Sequence, residues 1–204
     1  MRVFFVRHGQ SEDNRLMRAC GWSDCPLSDA GREQARAAAP LLKGIRFDRV
    51  FSSDLPRAVE TAKLVLPGCE PELSDRIREI SVGHISGRFR TELKESLGEA
   101  YLNARDRHDY TAFGGENDDM ISARVFEFMR MLETLKDCEN VAVFGHEGTV
   151  HQMLNYVLGV RVILQHLRAP NCSVSVFCYE NNWWKLEKFS YNNAIIPTIN
   201  TIKG

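Results

Sequence analysis

No apolar run in this chain approaches the ~20 residues that a membrane-spanning helix needs, and no excess charge of one sign marks it. Lys and Arg number 26 against 27 Asp and Glu, a formal net charge of -1. Nothing global therefore pulls it toward nucleic acid or an anionic lipid surface. The six cysteines (Cys20, Cys25, Cys69, Cys138, Cys172, Cys178) contain no CxxC pair and no metal-type spacing. Reduced thiols in a cytoplasmic protein are the expectation. Internal repeats and low-complexity linkers are also lacking. The first strand begins at Arg2, which predicts no signal peptide. What is present is 204 residues, enough for one α/β domain, or one domain with a modest insertion, and for a substantial core.

The most informative stretch is Val3-Phe4-Phe5-Val6-Arg7-His8-Gly9-Gln10-Ser11. Four consecutive apolar residues rich in β-formers, stopped by Gly9, predict a short strand buried on both faces. An arginine and a histidine follow at its carboxyl end, where open α/β sheets place their ligands. Arg7 offers a planar, permanently charged fork for phosphate or carboxylate, and His8 a ring nitrogen that is nucleophilic near neutral pH. Taken alone, such a pair is equally an ordinary solvated turn.

Downstream, Asn14 to Pro26 reads as a polar loop, and Pro26-Leu27-Ser28-Asp29 as a helix start with Ser28 as its cap. The alanine-rich run from Glu33 to Lys43 predicts a helix that Pro40 kinks or shortens and Gly44 ends. Arg49 to Ser52 predicts a second strand. After it, a serine-rich turn and Pro56 predict a helix N-terminus facing the strand end, a favourable place for phosphate, with Arg57 in the first turn. Arg88 to Tyr110 is charged and helix-prone, with Leu93, Leu97 and Leu102 as a thin apolar stripe, and reads as an insertion over the site. Ile121, Val125, Phe128, Met129, Leu132 and Leu135 fall at helical spacing and predict a core face. Val141 to Gly145 predicts a third buried strand, ending at His146. Ser173 to Tyr179 and Trp183 to Phe189 alternate around Asn181-Asn182 as a β-hairpin. Tyr191 to Gly204, with Pro197, shows little pattern and reads as a wrapping or loose tail.

Arg7-His8-Gly9-Gln10-Ser11 with Asn14, and Ser52-Ser53-Asp54-Leu55-Pro56-Arg57-Ala58-Val59-Glu60-Thr61-Ala62, carry a resemblance. The first resembles the signature of the histidine phosphatase (phosphoglycerate mutase-like) superfamily. The second matches every fixed position of that family's Ser-Ser-x-Leu-x-Arg-Ala-x-x-Thr-Ala pattern. Glu79, with Gly83 and Gly87, matches a glutamate run that holds the family's proton donor, and Gly114-Gly115-Glu116 resembles its Gly-Glu. His146 follows an apolar strand as the family's histidine does, although Glu147 stands where glycine is usual. The resemblance implies an α/β three-layer sandwich with a mainly parallel central sheet and helices on both faces. It implies one histidine phosphatase domain over 1–204, with a small helical insertion at about 88–115 over the site.

The activity so implied is a metal-independent phosphomonoesterase working through phosphohistidine. In it, His8 is the nucleophile and Glu79 the acid that protonates the departing alkoxide and then activates water. Arg7, Arg57, Asn14 and His146 bind the phosphoryl oxygens, and Cys20-Gly21 belong to a loop against the substrate, with Trp22 as an aromatic wall. The basic cluster takes the cationic role often left to Mg²⁺, so no metal and no other cofactor is called for. His146 and His151 invite a zinc reading, but at a spacing of five they diverge by roughly 140° around a helix. His84, His108, His151 and His166 lack supporting neighbours and are read as surface or packed. The expected partner is a small phosphorylated metabolite, with neither nucleic acid nor membrane; oligomeric state is left open. Arg88, Arg90, Arg105, Arg107 and His108 suggest tolerance for a second anionic group. α-Ribazole phosphate, phosphoserine, sugar phosphates and phosphoglycerates all stay open as substrates. The rival readings are a mutase, whose Glu-Arg-His-Tyr-Gly-Gly-Leu run is missing around Glu79, and a non-catalytic phospholigand sensor.

Overall fold

The computed structural model describes residues 1–162 and 167–192. Its centre is a six-stranded sheet in the order β3-β2-β4-β1-β5-β6. The strands are β1 (Arg2–Arg7), β2 (Arg49–Ser52), β3 (Glu72–Leu73), β4 (Asn140–Gly145), β5 (Val174–Glu180) and β6 (Trp183–Tyr191). From β3 to β1 every neighbour is parallel, whereas β5 and β6 are added antiparallel. The expected α/β class with a mainly parallel sheet is what the chain adopts.

Alternation along β1 and β4 divides the core into two layers, because successive side chains leave a strand on opposite faces. Val3, Phe5, Val141 and Val143 pack on one face against helices α6 (Asp118–Glu133) and α7 (Glu147–Leu158). Phe4, Val6, Ala142 and Phe144 pack on the other against α2 (Asp29–Ala38) and α3 (Pro56–Val65). An unbroken apolar run is what a strand covered on both faces requires. A third, smaller cluster joins Val82, Ile85 and Phe113 to Leu93, Tyr101 and Ala104 of helices α4 (Arg90–Leu97) and α5 (Glu99–Arg107).

Local chemistry sets most boundaries where the sequence put them. Ser28 Oγ accepts from Gly31 N at 3.1 Å and starts α2, and Pro56 occupies the first turn of α3. Pro40 shortens α2, which tightens into a 3-10 turn over Ala39–Leu42. Asn181 and Asn182 both take positive φ (52° and 64°), the conformation a two-residue hairpin turn demands. Three details differ. The loop expected from Asn14 overlaps a short helix α1 (Glu12–Arg15), started by a reciprocal capping box between Ser11 and Asn14. Strand β3 is only two residues and too short to leave a period. Leu135 lies past the end of α6, though still packed on its core layer. His166 and the tail from residue 193, Pro197 included, lie outside the described residues.

The two glycines that follow Glu79 differ in kind. Both have positive φ (63° at Gly83, 78° at Gly87). A Cβ on Gly83 would lie 1.9 Å from Phe113 O and 2.7 Å from Gly115 N, whereas one on Gly87 would meet nothing within 4 Å. Gly87→Ala should therefore cost only the left-handed penalty, about 1–2 kcal/mol. Gly83→Ala should cost clearly more, since backbone must move. Urea midpoints of the two variants check this; equal losses would contradict it.

Candidate active site

β1 and β4 lie side by side in a register that pairs Arg7 with Gly145. The next residue of each strand is a histidine, so His8 and His146 leave the sheet together, their ring centroids 5.0 Å apart. His8 N donates to Gly145 O at 2.9 Å. The Nδ1 of His8 lies 2.6 Å from Gly9 O. A carbonyl can only accept, so Nδ1 carries the proton and the lone pair is on Nε2. Both rings are buried. Neither nitrogen of His146 has a hydrogen-bond partner among the described residues.

Two arginines stand against these rings. Arg57, fully buried, donates through its terminal nitrogens to Ser23 O (2.9 Å) and Gly21 O (2.8 Å). Arg7 donates to Ala169 O at 2.5 Å and pairs with Glu147 Oε2 at 3.4 Å. Both Nε atoms are buried without a partner among the described residues. The fixed letters around Arg57 now have reasons. Thr61 Oγ1 donates to Arg57 O (2.6 Å) and accepts from Gly9 N (3.0 Å), tying α3 to the loop after β1. Ala58 and Ala62 are completely buried, where a larger side chain would not fit between helix and sheet. The serines before the helix shape its entry turn. Ser52 Oγ donates to Ser53 O, and Ser53 Oγ accepts from Leu55 N, so the pair shapes the turn itself.

Glu79 reaches the same place from a third direction. Its carboxylate accepts from Ile80 N (3.0 Å) and from Gly148 N at the start of α7 (3.2 Å). A Cβ on Gly148 would sit 2.2 Å from Glu79 Oε1, so that position has room only for glycine while the carboxylate keeps its place. The backbone leading into Glu79 is clamped by Arg124, which donates to Arg76 O, Arg78 O and Glu79 O and pairs with Glu116 at 2.8 Å. Trp22 is a correction. Instead of walling the cavity, its indole N–H donates to Glu79 O at 2.6 Å, and its ring lies under the Arg78 and Arg124 guanidinium groups.

Arg7, His8, Asn14, Cys20, Gly21, Arg57 and Glu79 line one cavity of about 190 Å³. Asn14 is partly committed elsewhere, accepting from Ser11 N (3.2 Å) and donating to Cys20 Sγ (3.2 Å). From the charged helical segment come Arg90, Tyr101, Arg105 and Tyr110, which close the cavity above. An adjoining cavity of about 510 Å³ shares Glu79, Ile80, Arg90, Arg105 and Glu147 with the first and adds His108, His151 and Arg168. His151 is buried with Nε2 2.6 Å from Leu167 O, and His146 faces His8, so the two histidines of the rejected zinc spacing serve different neighbours. Of the side chains expected to meet a second anionic group, Arg90, Arg105 and His108 line the larger cavity, whereas the tyrosines, Arg124 and the lining role of His151 had no signal in the sequence beyond residue type.

Over residues 3–192 the chain matches the family described as histidine phosphatase superfamily (branch 1). It belongs to that superfamily. Among similar proteins is the adenosylcobalamin/alpha-ribazole phosphatase of Salmonella typhimurium, 28% identical over 98% of this chain and 96% of that protein. Another is the "Probable phosphoglycerate mutase GpmB" of Photorhabdus laumondii, 30% identical over 90% of this chain and 87% of that one. Among solved structures, the alpha-ribazole phosphatase of Shigella flexneri superposes with a TM-score of 0.85 at 25% identity, covering 94% and 96% of the two chains. A mycobacterial glucosyl-3-phosphoglycerate phosphatase gives 0.80 at 25% identity, covering 94% and 99%.

In this histidine phosphatase both central imidazoles are held neutral. Burial, then the charges of Arg57 and Arg7, push His8 well below its ordinary 6.5; for His146 the causes are burial, Arg57 and His8. Each ring then takes up a proton on unfolding once the pH drops below the unfolded value. Their contribution to stability is full above about pH 6.5 and is lost as the pH falls, by up to about 1.4 kcal/mol per pH unit for each ring. Melting temperature should decline between pH 6.5 and 5, and His146→Gln should flatten that decline by up to one proton's worth. A slope identical in the variant would contradict the assignment.

Proposed function

We propose that the chain is a phosphomonoesterase that passes the phosphoryl group of a small-molecule ester through His8 to water, without a metal. One observation carries this reading: His8, its Nδ1 tied to Gly9 O, shares a small cavity with Arg7, Arg57 and Glu79. A lone pair on Nε2, buried positive charge and a carboxyl group are the three things that hydrolysis of a phosphate monoester needs. The first step forms an Nε2–P bond and breaks the ester P–O bond while Glu79 gives its proton to the leaving oxygen. In the second, Glu79 takes a proton from water, the water oxygen bonds to phosphorus, and the N–P bond breaks. Inorganic phosphate leaves and neutral His8 is restored. Arg7 and Arg57 grip the non-bridging oxygens, and His146, fully buried beside the His8 ring and outside the lining of the cavity, is assigned a supporting hydrogen bond to the charge that builds there. Asn14, Cys20 and Gly21 form the loop wall against the bound group. The helices over about 88–115 close the site as a small insertion. Similarity to phosphatases of α-ribazole phosphate and glucosyl-3-phosphoglycerate supports hydrolysis of small phosphorylated metabolites, and six free thiols suit a cytoplasmic enzyme.

Similarity to a phosphoglycerate mutase keeps the transfer reading as the alternative. Brief exposure to a ³²P-labelled ester should leave acid-labile, alkali-stable label on the protein, and His8→Ala should remove both label and turnover. Label persisting in His8→Ala would reject His8 as the nucleophile. With 3-phosphoglycerate and 2,3-bisphosphoglycerate present, release of free phosphate should outpace isomer formation; the reverse would favour the mutase.

A further inference from the structure

The residue after His146 bears on which esters can enter. Glu147 opens α7 and lines both the phosphate-sized cavity and the larger one beside it. Its side chain is only 22% exposed. Oε1 accepts from Ala169 N at 3.1 Å, while Oε2 lies 3.4 Å from Arg7 Nη1. The same Arg7 guanidinium donates to Ala169 O, so arginine, glutamate and the Ala169 peptide form a closed unit with little freedom to swing. An ester with its phosphorus on His8 and Arg7 must send its alcohol past Glu79, into the passage that Glu79 and Glu147 share. The carbons next to the ester oxygen therefore lie beside a fixed, sheltered negative charge.

Resting on the phosphatase reading, we propose that Glu147 is a specificity residue, selecting against substrates with an anionic group adjacent to the phosphate ester. The favoured leaving group carries hydroxyls there, which can donate to Oε2. The arginines of the rim do not cancel this effect. Arg90, Arg105 and Arg168 are all exposed, and the first two are engaged by Arg18 O and Asp106. Their field is screened by solvent and reaches groups farther out along the ligand, which makes them suited to a distal charge. The phosphate itself meets Glu147 in every substrate, with Arg7 between them, so the residue separates esters only by what lies next to the phosphate. One further like charge about 6 Å away, at an effective dielectric near 20, changes affinity by about ten- to a hundredfold.

Glycerol 2-phosphate and 2-phosphoglycerate form a matched pair, differing only by a hydroxymethyl group against a carboxylate on the carbon that bears the ester oxygen. Their inhibition constants against p-nitrophenyl phosphate hydrolysis should favour glycerol 2-phosphate at least tenfold in the parent chain. Glu147→Gln keeps an acceptor for Ala169 N and should narrow that ratio about tenfold. A merely structural role through Arg7 would weaken both competitors together and leave the ratio unmoved. A ratio within twofold of the parent's in the variant overturns the inference. So does a parent in which 2-phosphoglycerate competes as well as or better than glycerol 2-phosphate, a result that needs no variant. A parent that releases no p-nitrophenol removes the phosphatase reading and this inference with it. Turnover of that ester with an unmoved ratio removes the inference alone.

Discussion

The whole site depends on burying a guanidinium without giving it a carboxylate. Moving a charge out of water is costly unless hydrogen bonds replace the lost hydration. Arg57 makes them by donating to two backbone carbonyls, Gly21 and Ser23, and to Cys25 Sγ at 3.8 Å, and no carboxylate is paired with it among the described residues. Its hydration is replaced without a carboxylate pressed against it, which leaves the guanidinium able to hold an anion. The same charge, in the same dry surroundings, keeps His8 and His146 from protonating. A neutral, nucleophilic imidazole next to a positive phosphate seat is thus one arrangement with two consequences.

The rest of the fold serves that arrangement. Parallel pairing of β1 with β4 brings two histidines from distant parts of the chain to one point of the sheet edge. Thr61 locks the loop after β1 to the helix that carries Arg57. Arg124 and Trp22 hold the backbone of Glu79 from behind, while Gly148 yields the space its carboxylate fills. Each contact is a hydrogen bond or a steric limit, and all but the Thr61–Arg57 bond cross a long stretch of sequence.

That distance explains what could be read beforehand. β1, β4 and α3 announce themselves because a doubly covered strand must be apolar throughout and a helix start has its own residues. His8, Arg57, Glu79 and His146 could be singled out because each follows such an element or falls in a recognisable motif. Their meeting in space is a matter of register, visible only once β1 and β4 are paired. Trp22 was legible as an aromatic near the site, but its role as a donor to Glu79 O depends on a partner 57 positions away. Arg124 sits on the polar side of a helix whose pattern speaks only of its buried side. Glu147 stood out as an unusual letter; its neighbours Arg7 and Ala169 come from opposite ends of the chain. The two-residue β3 and the four-residue α1 are too short for any periodicity to show.

Protonation of the two central imidazoles tests the account most directly. Chemical shifts of ¹⁵N-labelled histidine, assigned with His8→Gln and His146→Gln, report charge and tautomer for each ring. The account predicts His8 neutral at pH 7, with its proton on Nδ1 and the lone pair on Nε2, and His146 neutral beside it, both resisting protonation well below pH 6.5. A His8 ring that is cationic at pH 7, or that carries its neutral proton on Nε2, would contradict it.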